Sequence, residues 1–139
     1  MDFVVDLDPT HQVLRITLTG EVATDEVATY VYRTVTRLAA QGGPYAGLFD
    51  FSQVTHSAVT PTTVRTLAAT AAAIPGERPR VIVARTDTVY GVGRMFELYR
   101  DSMVGKSQIV VRSNDEAYEL LKVTPQDFSQ RLFSEELAA

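Results

Sequence analysis

The sequence predicts a single α/β domain built on one mixed, mainly parallel sheet. Residues 3–7 and 14–18 alternate between apolar and polar side chains on either side of the turn cluster 8–11, which predicts an antiparallel hairpin. Short apolar runs then alternate with amphipathic segments, the pattern of parallel strands joined through helices. The predicted order is therefore β-β-α-β-α-β-α-β-α, followed by a C-terminal helix.

Residues typical of helix N-termini predict where the helices after the hairpin begin. The first helix is predicted at about residues 24–40, with acidic side chains in its first turn, where the helix dipole favours them. Thr60 is the expected N-cap of the second helix, because a proline follows it at the first helical position. The third helix is predicted at about residues 87–103. Ser113 and Glu116 form the capping box of the fourth.

Three short apolar runs are typical of strands that a parallel sheet buries on both faces. They are residues 46–51, 81–84 and 109–111. Residues 52–59, between the first of these strands and the second helix, are mostly polar and are predicted to form a loop. We therefore expect three crossover strands beside the N-terminal hairpin.

The end of the chain is predicted to be a helical extension of the domain. Its apolar side chains recur at the helical spacing of Phe128, Leu132 and Phe133. We expect residues 1–123 to form the domain, and residues 124–139 to form a C-terminal helix. That helix would either pack back onto the domain or mediate a homodimer.

Composition and charge exclude several classes of function. The chain has 139 residues, no cysteine and a formal net charge of −4. Without cysteine it forms no disulfide, thiolate nucleophile or iron–sulfur cluster. An acidic balance without a basic stripe argues against nucleic-acid binding. The N-terminus lacks the pattern of a signal peptide, and no apolar run approaches the ~20 residues of a membrane span, so we expect a cytoplasmic protein without a transmembrane segment.

Three segments resemble a known family. They are Asp50-Phe51-Ser52-Gln53-Val54, Tyr90-Gly91-Val92-Gly93-Arg94-Met95-Phe96 and Val110-Val111-Arg112-Ser113-Asn114-Asp115-Glu116-Ala117. The chain resembles the bacterial SpoIIAA-like branch of the STAS fold, which is itself likened to SEC14-type lipid-binding domains. The resemblance covers about residues 3–121. It implies the same order of strands and helices, and a soluble, non-catalytic module.

The resemblance does not extend to the phosphorylation signature of the classical STAS members. Those anti-sigma-factor antagonists carry Asp-Ser-Ser-Gly where the loop enters the second helix, and a kinase phosphorylates one of the serines. This chain has Ala58-Val59-Thr60-Pro61 at that place. Thr60 is therefore only a weak candidate for phosphorylation, since its capping role already explains it.

The predicted binding site lies at one edge of the sheet. In open α/β sheets, ligands bind beyond the carboxyl ends of the strands, where polar loops meet. The candidate ligand-binding or partner-binding residues at this edge are Asp50, His56, Asp87, Tyr90, Gly91, Gly93, Arg94, Met95 and Tyr99.

The glycines at the start of the third helix have two interpretations. Free backbone N–H groups near Gly91 and Gly93, together with Arg94, would suit a phosphate or carboxylate. Alternatively, the glycines permit close packing of the helix, and Arg94 pairs with a carboxylate such as Asp50 or Asp87. A lone Gly-x-Gly does not distinguish the two, because the dinucleotide fingerprint requires a third small residue.

The apolar stripe of the third helix also has two interpretations. Its members are Val92, Met95, Phe96, Tyr99 and Met103. They form ordinary core, as a stripe at helical spacing usually does. Alternatively they line a cavity or a partner surface, for which methionine and aromatic side chains are well suited. The likeness to SEC14-type domains adds support to the second interpretation but does not establish it.

The sequence contains no clear catalytic or metal-binding motif. An acid–base site would require Asp50, His56 and Asp87 to converge on one point. His11 and His56 are expected at opposite ends of the sheet, too far apart to share a metal ion. We therefore predict no enzyme activity, no cofactor and no metal.

Two functional hypotheses remain open. The first is a non-catalytic regulatory module that binds another protein through the strand-end loops and the third helix. The alternative is a carrier or sensor of a small apolar or amphipathic ligand, lipid-like and with an anionic head that Arg94 would contact.

Overall fold

The computed structural model of the protein describes residues 1–70, 72–104 and 108–137, with the backbone alone for residues 101–104. Along the chain, its helices and strands are β1 (Asp2–Asp8), β2 (Val13–Ala23), α1 (Asp25–Ala39), β3 (Ala46–Ser57), α2 (Pro61–Ala69), β4 (Arg80–Val83), α3 (Asp87–Val104), β5 (Gln108–Val111), α4 (Asn114–Leu121), a single 3-10 turn (Pro125–Asp127) and β6 (Gln130–Glu136). None of the helices in these ranges is both long enough and apolar enough to cross a membrane.

The strands form one mixed sheet in the order β5-β4-β3-β2-β1-β6. The three pairs from β2 to β5 are parallel, and β1 runs antiparallel to both of its neighbours. The predicted α/β class, the N-terminal hairpin and the mainly parallel sheet are therefore confirmed. Since all the parallel strands run the same way, the loops that follow them leave the sheet at one edge.

The predicted C-terminal helix is wrong, because residues 130–136 form the edge strand β6. In β6, Phe133 pairs with Val5 of β1, and Leu132 is an extra residue at a bulge. Phe133 packs on Phe3, with ring centroids 5.0 Å apart, whereas Phe128 is buried on the opposite face of the sheet. The apolar residues that resemble one helical stripe thus pack on two faces of the sheet, and the alternative of a homodimer formed through a C-terminal helix has no such helix to use.

Strand β3 is longer than the sequence predicts. Residues 52–57, expected in a loop, continue the strand and pair with the extended end of β2. The register shifts where residues 50–53 bulge, which resets the alternation of side chains. As a result, Phe49, Phe51 and Val54 all belong to the same core cluster.

Helices cover both faces of the sheet. On the first face, α1, α2 and α3 pack over a core that includes Leu14, Ile16 and Val35. On the second face, α4 packs its buried Ala117 against Leu48 and neighbouring residues of β4 and β5. The two faces therefore carry separate cores, and the larger one lies beneath three helices.

Candidate functional site

Asp50, predicted at the end of a strand, lies within β3, and its carboxylate points away from the three-helix face. Oδ1 of Asp50 accepts hydrogen bonds from the backbone N–H of Ser52 at 3.1 Å and from its hydroxyl at 2.6 Å. The Ser52 hydroxyl in turn accepts a hydrogen bond from Nδ2 of Asn114, at the start of α4, at 3.2 Å. Asp50 is buried. These hydrogen bonds give Asp50 a structural role, since they link β3 to α4.

Asp50, His56 and Asp87 have separate partners. His56 is exposed on β3, with Nδ1 3.1 Å from the hydroxyl of Thr55. Oδ1 of Asp87 accepts a hydrogen bond from Arg112 at 2.7 Å. None of the three lines the cavity described below. Their separate contacts give no support to an acid–base site, and the absence of enzyme activity stays a prediction.

Part of the predicted edge does assemble. The guanidinium of Arg112, at the end of β5, lies 3.9 Å from the ring centroid of Tyr90 and also contacts Asp87. The loops after β4 and β5 therefore meet through a cation–π contact and an exposed ion pair. An exposed ion pair contributes little to stability because water screens its charges. Together, the two contacts of Arg112 hold the start of α3 beside the end of β5.

Arg94 is accounted for by a contact within its own helix. It forms an ion pair with Glu97, and Oε2 of Glu97 accepts a hydrogen bond from the buried backbone N–H of Val110 at 3.0 Å. Neither of the carboxylates suggested by the sequence is its partner. Arg94 is exposed and does not line the cavity. Met95 and Tyr99 are half-buried, and they do not line the cavity either.

The two glycines of α3 have different surroundings. A Cβ on Gly93 would lie 3.2 Å from Cγ1 of Val110, whereas a Cβ on Gly91 would have nothing within 4 Å. The first intrahelical bond runs from the N–H of Tyr90 to the carbonyl of Thr86, so both glycines lie beyond the helix's free N–H groups. Close packing explains Gly93, and an anion site on these N–H groups has no support.

We expect alanine at these two positions to have opposite effects on stability. Gly91→Ala should raise the free energy of unfolding by about 0.5–1 kcal/mol, because alanine is the better helix former and the site is open. Gly93→Ala should lower it, because the new Cβ would crowd the β-branched Val110. Urea denaturation of the two variants measures both effects. Equal stabilisation by both would contradict the packing role of Gly93.

Thr60 is fully engaged as a helix cap. Its hydroxyl accepts from the N–H of Thr63 at 3.3 Å, which confirms the predicted N-cap of α2. Its N–H and hydroxyl also donate to the carboxylate of Asp25, at 2.7 and 3.1 Å. The backbone hydrogen bond from Thr60 is the main cause that lowers the pKa of Asp25. A phosphate on Thr60 would meet this carboxylate and be repelled, so the geometry disfavours phosphorylation there.

The N-terminal hairpin turn brings together three possible ligand atoms for a metal ion, from Asp8, His11 and Asp127. The buried carboxylate of Asp8 accepts from the backbone N–H groups of Thr10 and His11, and lies 2.7 Å from Nδ1 of His11. These hydrogen bonds describe a stable turn. They account for the cluster without an ion.

A cavity of about 160 Å³ lies between the sheet and helices α1, α2 and α3. Its lining is mainly apolar and includes Leu18, Val31, Phe49, Phe51, Val64 and Phe96. The bulge in β3 contributes to it, since it brings Val54 onto the face that Phe49 and Phe51 occupy. The cavity is partly open to solvent. A concave, mainly apolar surface of this kind is the usual place for a small ligand, which makes it the candidate site.

The apolar stripe of α3 divides between two roles. Val92, Gly93 and Phe96 line the cavity, whereas Met95 and Tyr99 do not. Met103 belongs to the part of α3 whose side chains are outside the described residues. The cavity interpretation of the stripe is thus supported for one side of the helix only.

Apart from Ser57, the last residue of β3, the polar groups of the cavity lie at the edge of the sheet opposite to the predicted one. Arg80 and Gln108 are the first residues of β4 and β5 and pair with each other in the sheet. Arg100 comes from the last part of α3, which runs antiparallel to the strands, and Tyr32 comes from α1. These four side chains give an otherwise apolar cavity one polar end.

Both arginines at this end are buried. Arg100 is 2% exposed, and its Nη2 donates to the Tyr32 hydroxyl at 2.9 Å and to the carbonyl of Leu67 at 3.0 Å. Arg80 donates through Nη1 to the carbonyls of Ile74 and Gly76 at 2.6 and 2.9 Å. Burial lowers the pKa of Arg80, and the positive charge of Arg100 lowers it further. Two positively charged side chains therefore line the same end of the cavity.

Sequence reasoning missed these arginines, although a signal for each was present. Arg100 continues the line of Val92 and Phe96 at a spacing of four residues, so it lies on the buried side of α3. Arg80 precedes the cavity-lining Ile82 by two residues in β4, which places both on one face. A charged residue in register with apolar residues that face the core indicates that its side chain also points inward.

No protein-family model, curated protein or solved structure matches the chain. The likeness of residues 50–54, 90–96 and 110–117 to the SpoIIAA-like branch of the STAS fold therefore stays a prediction. Function has to be inferred from the cavity and from the side chains that surround it.

Proposed function

We propose that the protein is a carrier or sensor of a small, mainly apolar ligand, which it binds in the cavity beneath α1, α2 and α3. The volume of about 160 Å³ and the mainly apolar lining support this proposal most directly. An engineered cavity of about 150 Å³ lined by Leu, Ile and Phe binds benzene. The size therefore suits an apolar group of about six carbon atoms.

The shape of the cavity supports the same proposal. It is partly open rather than sealed, so a small ligand has a route to its apolar walls. A bound apolar ligand would be stabilised there through burial and dispersion contacts.

The hypothesis of a protein-binding regulatory module stays a prediction, with less to support it. Arg94, which was expected to contact a partner, is paired with Glu97. Leu98 on α3 is the most exposed large apolar side chain among those described, at 58%. A single exposed leucine is normal on a monomer's surface and needs no partner.

Native mass spectrometry of the purified protein, together with toluene titration, tests the cavity proposal. We expect either a copurified small molecule or binding of toluene, detected as shifts of methyl NMR signals from Val31 and Val64, which line the cavity. Ala28→Phe should abolish toluene binding, since Ala28 lines the cavity and a phenyl ring would fill it. The variant should keep or gain thermal stability.

Ala69→Phe is the matched control. It makes the same substitution at an exposed position at the end of α2, outside the cavity lining. It should bind toluene as the unsubstituted protein does. An apo mass combined with unshifted methyl signals at saturating toluene would overturn the proposal.

A further inference from the structure

We propose that the ligand is a small amphipathic carboxylate, whose head group is bound by Arg100 with Arg80 beside it. This inference rests on the proposed function and specifies the chemical class of the ligand. It moves the head-group contact from Arg94, which the sequence suggested, to the opposite edge of the sheet. The apolar body of the ligand would lie against Phe49, Phe51 and Phe96.

The bonding of Arg100 is incomplete for a buried cation. Its two hydrogen bonds go to a tyrosine hydroxyl and a backbone carbonyl, both neutral acceptors. Its Nε is buried and has no hydrogen-bond partner among the described residues. No ion pair found between described residues includes Arg100. Buried charges are normally paired and their donors satisfied, because desolvation is costly.

The surroundings of Arg100 favour an anion. Arg80 is also buried and lines the same end of the cavity as Arg100. Two guanidinium side chains beside mainly apolar walls give this end a positive potential. An anion bound there would pair with these two cations.

The shape of the site favours a carboxylate with an apolar body. Nη2 of Arg100 already donates to Tyr32 and Leu67, so a carboxylate would be bound by a single charge-assisted hydrogen bond from another donor of the guanidinium. The Arg100 guanidinium lies 5.3 Å from the ring centroid of Phe96, so the polar and apolar parts of the site are adjacent. The volume of about 160 Å³ suits a body the size of benzoate or hexanoate.

A purely structural role for Arg100 is the competing explanation. Its hydrogen bonds join α3 to α1 and to the end of α2, and could serve only to hold the helices together. That role would be indifferent to the charge of a ligand. It therefore predicts equal affinity for a carboxylate and for its neutral analogue, which separates the two explanations in the unsubstituted protein.

The decisive experiment compares benzoate with benzyl alcohol by isothermal titration calorimetry. We expect benzoate to bind roughly 10- to 100-fold more tightly, the usual advantage of charge-assisted hydrogen bonds in a buried site. Arg100→Gln should remove most of this preference, and Arg100→Lys should retain part of it. Arg94→Gln, on the same helix but outside the cavity lining, should leave it unchanged.

The outcomes separate this inference from the proposed function. Equal affinities for benzoate and benzyl alcohol in the unsubstituted protein would overturn the head-group assignment while leaving the cavity proposal intact. Loss of the preference in Arg94→Gln, but not in Arg100→Gln, would overturn it as well. Failure of toluene, benzoate and benzyl alcohol alike would overturn both. If Arg100→Gln does not fold, the comparison in the unsubstituted protein decides.

Discussion

Deletion of residues 124–139 is expected to abolish the cooperative unfolding transition of the protein. The deletion removes β6 and the buried Phe128, and it leaves β1 as an unpaired edge strand. Loss of a buried phenylalanine side chain alone costs about 3–5 kcal/mol, a large part of a domain's total stability of about 5–15 kcal/mol. Circular dichroism during thermal unfolding measures the effect.

The contacts of β6 explain why the loss should be so large. Phe133 covers Phe3, which is fully buried, and the hydroxyl of Tyr30 on α1 donates to the carboxylate of Glu135. On the other face, Phe128 packs with Val13 and Val123. Although β1 would still pair with β2, its exposed outer edge would also be a template for aggregation. A truncated chain with an unchanged melting temperature would contradict the role of β6.

Two single substitutions distinguish the strand from the predicted helix. Phe133→Ser should lower the free energy of unfolding by about 2–3 kcal/mol, because Phe133 packs into the core against Phe3. Leu132→Ser should cost less than about 1 kcal/mol, since Leu132 is at the bulge and largely exposed. A helix with both residues on its buried stripe would give similar losses.

The elements that the sequence predicts well are those with regular periodicity. The hairpin, the buried run of β4 and the N-cap at Thr60 follow from local alternation, length and capping chemistry, so they are found without tertiary information. Strands β3 and β6 are misjudged because each contains a bulge. A bulge inserts one residue and shifts the alternation, so a strand period of two can resemble a loop or a helical spacing.

The candidate site was misplaced for a different reason. The rule that ligands bind beyond the carboxyl ends of the strands placed Asp87 and Tyr90 at one edge, where both contact Arg112. It gives no information about voids beneath the helices, because a void depends on how three helices pack at once. Arg100 was overlooked since arginines on helices are mostly exposed. Only its register with Phe96 indicated that it points inward.

Asp6→Asn is expected to destabilise the protein by about 3 kcal/mol, the lower end of the cost of breaking a buried ion pair. The buried carboxylate of Asp6 accepts from Arg15 of β2 at 3.3 Å and from Nε of Arg131 of β6 at 2.6 Å, and so joins three strands. Arg15 also donates to the Tyr118 hydroxyl at 2.9 Å. Without the Asp6 carboxylate, the positive charge of Arg15 would stay mostly buried beside neutral groups.

Arg131→Gln serves as the matched control for Asp6→Asn. The side chain of Arg131 is 58% exposed, against 19% for Arg15, so water replaces much of its contact with the carboxylate. We expect a loss below about 1 kcal/mol, as for surface ion pairs. Urea denaturation should show a lower midpoint with an unchanged slope for both variants. If both variants lose the same small amount, Arg15 does not depend on Asp6, and the buried ion pair does not hold the β1–β2–β6 end of the sheet together.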